Sequence, residues 1–88
     1  MAYNFIFSKK SLVDMDGLEV NEARRIVKKI KWLSNLANPL SHAKFLVDSS
    51  IGDVRFRIGD YYRVIAVLSG QIIAIVAIGH RKEIYKRK

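Results

Sequence analysis

Residues 54–78 read VRFRIGDYYRVIAVLSGQIIAIVAI, and this stretch decides the fold. In its first segment apolar residues alternate with Arg55 and Arg57, so both arginines are expected on the outward face of one strand. Its last segment, residues 72–78, is apolar at every position. A run of that kind is typical of a central strand that is covered on both faces.

Two turn signals, Gly59-Asp60 and Ser69-Gly70, divide this stretch into three parts. Ser69-Gly70 has the form of a two-residue hairpin connection. The predicted strands therefore run over about residues 53–58, 62–68 and 72–78. Because short turns join antiparallel neighbours, the sequence predicts a three-stranded antiparallel meander.

The residues before this stretch predict one strand and two helices. Residues 2–7 are rich in aromatic side chains and predict a strand, and Ser8 is a candidate N-cap for a short helix over residues 9–15. Leu12 and Met15 are its expected inward positions. The segment DGLE at residues 16–19 has the spacing of a capping box and predicts the start of a second helix. The apolar stripe of that helix comprises Val20, Ala23, Ile26, Val27, Ile30, Leu33 and Ala37.

The second helix is expected to end near Leu36, because Asn38-Pro39 cannot continue it. Residues 40–51 have weak periodicity and predict a connection. The fold class is therefore α+β. A single domain over residues 1–88 has an N-terminal strand, two helices and then the meander, which completes one sheet packed by the helices.

Composition excludes several classes of protein. The chain has no cysteine, which removes disulfide frameworks and zinc–cysteine sites, and His42 and His80 have no accompanying cluster of carboxylates. We therefore expect neither a metal nor another cofactor. The longest apolar run, residues 72–78, is far shorter than the roughly 20 residues of a membrane helix. The N-terminal segment does not resemble a signal peptide, so we expect a soluble, cytoplasmic protein that does not bind a membrane.

The net charge of +8 is unevenly distributed along the chain. Residues 1–53 carry eight Lys or Arg against six Asp or Glu, whereas residues 54–88 carry eight against two. The net charge of the last part is therefore +6, which favours a polyanion or an acidic protein as partner. A solvated basic surface that serves solubility is the alternative. The charge run at positions 24–31 of the second helix is interpreted as a solvated helix face.

Strand geometry predicts how the arginines converge. A three-residue loop, residues 59–61, places Arg57 directly opposite Arg63, with Arg55 on the same face beside Ile65. Like charges in direct opposition destabilise a sheet, so a fold that keeps them is expected to use them on an anion. Arginine forks bind phosphate oxygens well, but arginine does not give up its proton. Proton transfer at such a site would require a different side chain.

The segments RFRIGDYYRVI at residues 55–65 and IGHRKEIY at residues 78–85 resemble the RelE/ParE superfamily of toxins from toxin–antitoxin systems, and more closely its RelE branch. The resemblance covers nearly the whole chain. It implies an mRNA endonuclease that acts in the ribosomal A site, in which the 2′-hydroxyl of the RNA attacks the adjacent phosphate without a metal. The partners it implies are that mRNA and an acidic cognate antitoxin, and the toxin alone is expected to be monomeric.

The resemblance also assigns site residues. It matches Arg63, Arg81 and Tyr85 to site residues of the family, although His80 stands where some members have lysine. Because an imidazole is suited to acid–base catalysis, His80 completes the expected catalytic set, in which either Tyr85 or His80 transfers the proton. The residues expected to bind RNA phosphate are Arg55, Arg57, Lys44 and Lys82. Tyr61 and Tyr62 stand where many members have a single aromatic residue, and no carboxylate base is evident.

Two other functions share the same fold. ParE toxins inhibit DNA gyrase, and a basic module without catalytic activity could act only in a complex with an antitoxin. Since the fold is common to all three, it does not separate them. The arginines and Tyr85 favour the nuclease.

Overall fold

The computed structural model describes residues 2–48 and 50–86. Its elements, in chain order, are β1 Asn4–Phe7, α1 Lys9–Asp16, α2 Val20–Ser34, a 3-10 turn Pro39–His42, β2 Ala43–Phe45, β3 Val54–Ile58, β4 Tyr62–Ser69, β5 Ile72–His80 and a 3-10 turn Ile84–Lys86. The strands form one sheet in the order β1-β5-β4-β3-β2. β1 is parallel to β5, and the other neighbours are antiparallel. The predicted α+β fold, with its N-terminal strand, two helices and meander, is confirmed.

The sheet has one strand more than the sequence predicts. β2 lies in the segment for which the sequence predicts a connection, and it pairs with β3 through Lys44 and Arg55. β2 is only three residues long, so its own sequence carries no visible alternation. Its pairing with β3 is a tertiary contact that local sequence patterns do not encode.

The core lies on the sheet face that α2 covers. Phe56 of β3, Val64 of β4 and Ile75 of β5 contribute to it, and the ring of Phe5 on β1 packs 5.9 Å from that of Phe56. α2 contributes Ile26, Ile30 and Leu33, which are fully or almost fully buried. The helix therefore packs on the sheet through residues spaced four and three apart, as a helix stripe requires.

β5 occupies the predicted central position, between β1 and β4. Its buried residues on the core face are Ile73, Ile75 and Ile78, so the two-residue alternation is broken once. The break is a β-bulge, because Ile65 pairs with Ala77 while Ala66 pairs with Ile75. Its other face is only partly covered, so the prediction of full cover on both faces is wrong.

The helices confirm one of the sequence predictions and differ from several others. The predicted N-cap of α1 is confirmed, since the Ser8 Oγ accepts from the Ser11 amide at 3.0 Å. Leu12, a predicted inward position, is half exposed. The predicted capping box is wrong, because the N-cap of α2 is Glu19, whose carboxylate accepts from the amide two residues ahead. Val20, predicted in the buried stripe, is 62% exposed, because α2 meets the sheet along a narrower stripe.

α1 continues the edge of the sheet where β1 ends. The Ser8 amide donates to the Ile75 carbonyl at 2.9 Å, and the Ile78 amide donates to the Asp14 carboxylate at 3.0 Å. β1 pairs with β5 only as far as Ile75, so the bond to Asp14 gives the Ile78 amide the partner that β1 does not provide. Within residues 2–48 and 50–86, no helix has the length and apolar character needed to cross a membrane.

The turns of the meander fix its register. The loop between β3 and β4 has three residues and begins with Gly59 at φ +61°, and Ile58 pairs with Tyr62 as predicted. The loop between β4 and β5 has two residues, as predicted, but they are Gly70-Gln71, one position later than expected, because Ser69 pairs with Ile72. Gly70, the first residue of this loop, has φ +58°. The turn types that are common in two-residue hairpin loops require a positive φ at that position.

Candidate nucleic-acid interface

The face of the sheet opposite α2 carries the basic residues of the meander. Arg57 is directly opposite Arg63, and Arg55 is opposite Ile65, which confirms the predicted register. Lys44 on β2 is opposite Arg55 and therefore lies on the same face. We call this face, with Lys44, Arg55, Arg57 and Arg63, the arginine face.

Tyr85 is brought to the arginine face by the C-terminal turn. Its neighbour Ile84 is 2% exposed and packs against β5 near Gly79. The Arg55 Nη1 donates a hydrogen bond to the Tyr85 hydroxyl oxygen at 3.1 Å. Tyr85 and Arg55 are therefore in direct contact although 30 positions separate them.

Arg63 forms the base of this cluster. It is 5% exposed, and its Nη1 donates to the Tyr62 carbonyl at 2.8 Å. Its Nε is buried and has no hydrogen-bond partner among the described residues. Burial lowers the pKa of the Arg63 guanidinium, and the charges of Arg57 and Arg55 lower it further. Tyr85 raises this pKa, whereas the charge of Arg81 lowers it.

The charges of the cluster repel one another. Among the groups that shift the pKa of Arg63, three are arginines and none is a carboxylate. The ion pairs found in the described part of the chain join Lys10 to Asp14 and Arg25 to Glu22, and both lie on the helices. Positive side chains that are held this close together form a site for an anion, because a bound anion relieves their mutual repulsion.

Arg81 and Lys82 follow β5 and are exposed, and the charge of Arg81 acts on Arg63. The Arg81 guanidinium lies 5.5 Å from the ring centroid of Tyr61, in a cation–π arrangement. The Arg81 amide donates to the Tyr61 carbonyl at 2.6 Å, which ties the C-terminal turn to the loop between β3 and β4.

His80 lies on the other side of the sheet from the arginine cluster. It pairs with Tyr62, whose partner on β3 is the core residue Ile58. Its ring is stacked on Tyr61 with centroids 5.9 Å apart, and it lines a hollow beside Asp14 of α1. The geometry therefore gives no support to His80 as the proton-transfer group. Of the two candidates for that role, Tyr85 is the one that contacts an arginine of the cluster.

A second surface lies along the two helices. It is a groove of about 530 Å³ with an apolar floor formed by Met15, Leu18, Val20, Ala23 and Val27. Arg24, Lys28 and Lys31 stand at its margin, together with Asp16. The sequence pattern places Val20 and Val27 in the core stripe, but these two side chains line the groove instead. We call this surface the helix groove.

The family model for the ParE toxin of type II toxin–antitoxin systems, the parDE type, matches residues 5–85. The chain belongs to this family. ParE toxins are part of the RelE/ParE superfamily, so the superfamily that the sequence resembles is confirmed and the protein is a toxin of a type II toxin–antitoxin system. The preference for the RelE branch stays a prediction.

A solved structure agrees with this membership at the level of the fold. A chain from the crystal structure of the toxin–antitoxin complex RelBE2 of Mycobacterium tuberculosis is 21% identical and superposes with a TM-score of 0.77. The match covers 92% of this chain and 100% of that one. No curated protein matches the sequence.

Proposed function

We propose that this ParE-family protein is a ribosome-dependent mRNA endonuclease that inhibits translation. The observation that carries the proposal is the convergence of Arg55, Arg57 and Arg63 with Tyr85 on one face. That face offers positive charge to a phosphodiester, and it places a phenol beside the charge. A surface that only bound a partner protein would not require a phenol in contact with a half-buried guanidinium group.

The side chains suit a reaction in which the RNA supplies its own nucleophile. The 2′-hydroxyl oxygen forms a bond to the adjacent phosphorus and releases its proton to water, while the bond from phosphorus to the 5′ oxygen breaks and that oxygen takes a proton from the Tyr85 hydroxyl. Exposed Arg57 and Lys44 hold the backbone, and Arg63 stabilises the extra negative charge of the transition state from below. Tyr85 transfers a proton, and its hydroxyl is oriented by Arg55.

Single-turnover cleavage on ribosomes programmed with a defined mRNA tests this proposal. With toxin in excess, Tyr85→Phe keeps the ring and removes the proton, so we expect the chemical rate to fall by roughly 10²–10⁴-fold. If the ring only stacked on a base, Tyr85→Phe would leave the chemical rate nearly unchanged, and only loss of the ring, as in Tyr85→Ala, would weaken binding, by about 1–3 kcal/mol. Arg25→Ala on the exposed surface of α2 is the matched control. Failure of the wild-type toxin to cleave mRNA on ribosomes would contradict the proposal.

Inhibition of DNA gyrase is the second candidate, and the match to the ParE family model favours it. The same purified toxin should therefore be tested for inhibition of DNA supercoiling by gyrase. Loss of supercoiling together with intact mRNA on ribosomes would assign the gyrase function. If the protein is inactive in both assays, the remaining candidate is a basic module without catalytic activity that acts only in complex with its antitoxin.

We propose further that the helix groove receives an acidic, amphipathic segment of the antitoxin. Its floor is apolar and its margin carries Arg24, Lys28 and Lys31, so apolar burial supplies affinity while charge accelerates encounter. Val27→Asp should weaken the complex at least tenfold, measured by titration calorimetry. Val47→Asp is the control, because Val47 is fully exposed and lies outside the groove. Equal losses for both variants would place the antitoxin elsewhere.

Light scattering checks the expected monomeric state of the free toxin.

A further inference from the structure

His80 organises the turn that follows β5. Its imidazole Nδ1 accepts a hydrogen bond from the Lys82 amide at 3.1 Å, and its carbonyl accepts one from the Glu83 amide at 2.9 Å. Both bonds are made to consecutive amides of the segment that carries the chain from β5 to Tyr85. A side-chain acceptor that binds the amide two residues ahead is the arrangement that Asn and Asp use to begin tight turns.

Gly79 and Ile84 close the same turn from the other side. Gly79 is buried, and a Cβ on it would lie 3.2 Å from the Ile84 Cδ1. Ile84 is almost fully buried there, and the next residue is Tyr85. The absence of a side chain at position 79 therefore allows Ile84 to pack closely, and the depth of Ile84 sets where Tyr85 emerges.

The turn ends at the arginine face. Tyr85 meets Arg55 there at 3.1 Å, and Arg81, at the start of the turn, is held by the Tyr61 carbonyl. The positions of Arg81 and Tyr85 thus both depend on the geometry of one short segment. The ring of Tyr61 stacks on His80 and that of Tyr62 meets it edge-on, so the imidazole is packed against two aromatic rings.

We propose that His80 and Gly79 are positioning residues, which hold the segment from Arg81 to Tyr85 so that Tyr85 stays in contact with Arg55. The imidazole acts through the Lys82 amide and does not touch the reacting phosphate. This explains why a histidine next to the site points away from it. The effect on catalysis rests on the proposed nuclease function, whereas the effect on the turn does not.

Two substitutions at position 80 separate positioning from proton transfer. His80→Phe keeps an aromatic ring between Tyr61 and Tyr62 but has no acceptor, whereas His80→Asn offers a side-chain oxygen to the Lys82 amide. We expect His80→Phe to reduce the hydrogen-exchange protection of the Lys82 amide by about 2–10-fold, the effect of one hydrogen bond. His80→Asn should restore most of that protection. Glu83→Gln, in the same turn and exposed, is the control.

On programmed ribosomes, His80→Phe should lower kcat more than it raises KM, and His80→Asn should recover most of the loss. A proton-transfer role predicts that both variants lose activity equally while the Lys82 amide of His80→Asn stays protected. Gly79→Ala provides an independent variant, since it displaces Ile84 and should shift the NMR resonances of the Tyr85 ring.

Unchanged Lys82 protection in His80→Phe, or unchanged Tyr85 resonances in Gly79→Ala, would overturn the positioning role. These two measurements use the folded toxin without RNA. They therefore test the positioning role even if the wild-type protein does not cleave mRNA, an outcome that would count against the proposed function alone.

Discussion

Replacing Arg57 by Gln should make the toxin more stable. Arg57 is exposed and lies directly opposite Arg63, which is buried and has arginines rather than carboxylates among the groups that shift its pKa. Arg55 lies two positions away on the same face of β3. Gln keeps the polarity and the first part of the side chain but removes one of the mutually repelling charges. The expected gain comes from relief of that repulsion in the folded state.

The magnitude follows from the register. A directly opposed charged pair on neighbouring strands changes the free energy of unfolding by roughly 0.2–1 kcal/mol, and the sign here is unfavourable because the charges are alike. A domain of this size shifts its Tm by about 4–8 °C for each kcal/mol. We therefore expect Arg57→Gln to raise Tm by about 1–8 °C at low ionic strength.

Thermal unfolding followed by circular dichroism measures this effect at two salt concentrations. The gain should be largest near 0.1 M salt, where the screening length is about 10 Å, and should shrink near 1 M, where it is about 3 Å. Lys31→Gln on α2 is the control, because it removes the same charge at an exposed helix position. The same Arg57→Gln variant should bind RNA more weakly.

A lower Tm for Arg57→Gln at 0.1 M salt would refute the reasoning. So would a gain that is the same at both salt concentrations, since a charge effect must respond to screening. A lower Tm would mean that Arg57 makes stabilising contacts that outweigh the repulsion, and a gain independent of salt would mean that Arg57 destabilises the fold for a reason other than its charge.

Three further changes concern stability. Phe56→Ala removes a buried ring that contacts Phe5 and should cost about 3–5 kcal/mol in urea unfolding; a cost below about 1 kcal/mol would contradict its place in the core. Gly52→Ala should cost about 1–3 kcal/mol, because its Cβ would stand 2.5 Å from the Ile65 Cγ2, whereas Gly17→Ala, with no contact below 3.5 Å, should be nearly neutral. Ser8→Ala removes the N-cap of α1 and should lower the unfolding free energy by about 1 kcal/mol, with Ser8→Asn largely neutral.

The register of the arginine face was predictable because it depends on parity alone. Once the loop between β3 and β4 has three residues, Arg57 must oppose Arg63 on the same face. The alternation of apolar and charged residues around Phe56 likewise identifies which face of β3 is buried, without any knowledge of the helices. These are local regularities, and local sequence is sufficient for them.

Features that depend on pairing between distant segments were not predictable. Lys44 reaches the arginine face only because β2 pairs with β3. β5 extends to His80, and its pairing with Tyr62 decides which way the imidazole points. A bulge in β5 shifts the alternation of buried residues by one position. The apolar character of Val20 and Val27 indicates burial, but the sequence does not say whether the core or a partner provides it.

The pairing of β1 with β5 has a consequence for how the toxin is made. The Asn4 amide donates to the Gln71 carbonyl just before β5, and Asn4 pairs with Ile72, so β1 has no neighbouring strand until β5 has been made. At about 5–20 residues per second, synthesis of the intervening chain takes roughly 3–14 seconds. Arg81 and Tyr85 are added later still. A chain that ends before β5 therefore carries neither the strand that joins β1 to β4 nor a complete arginine face.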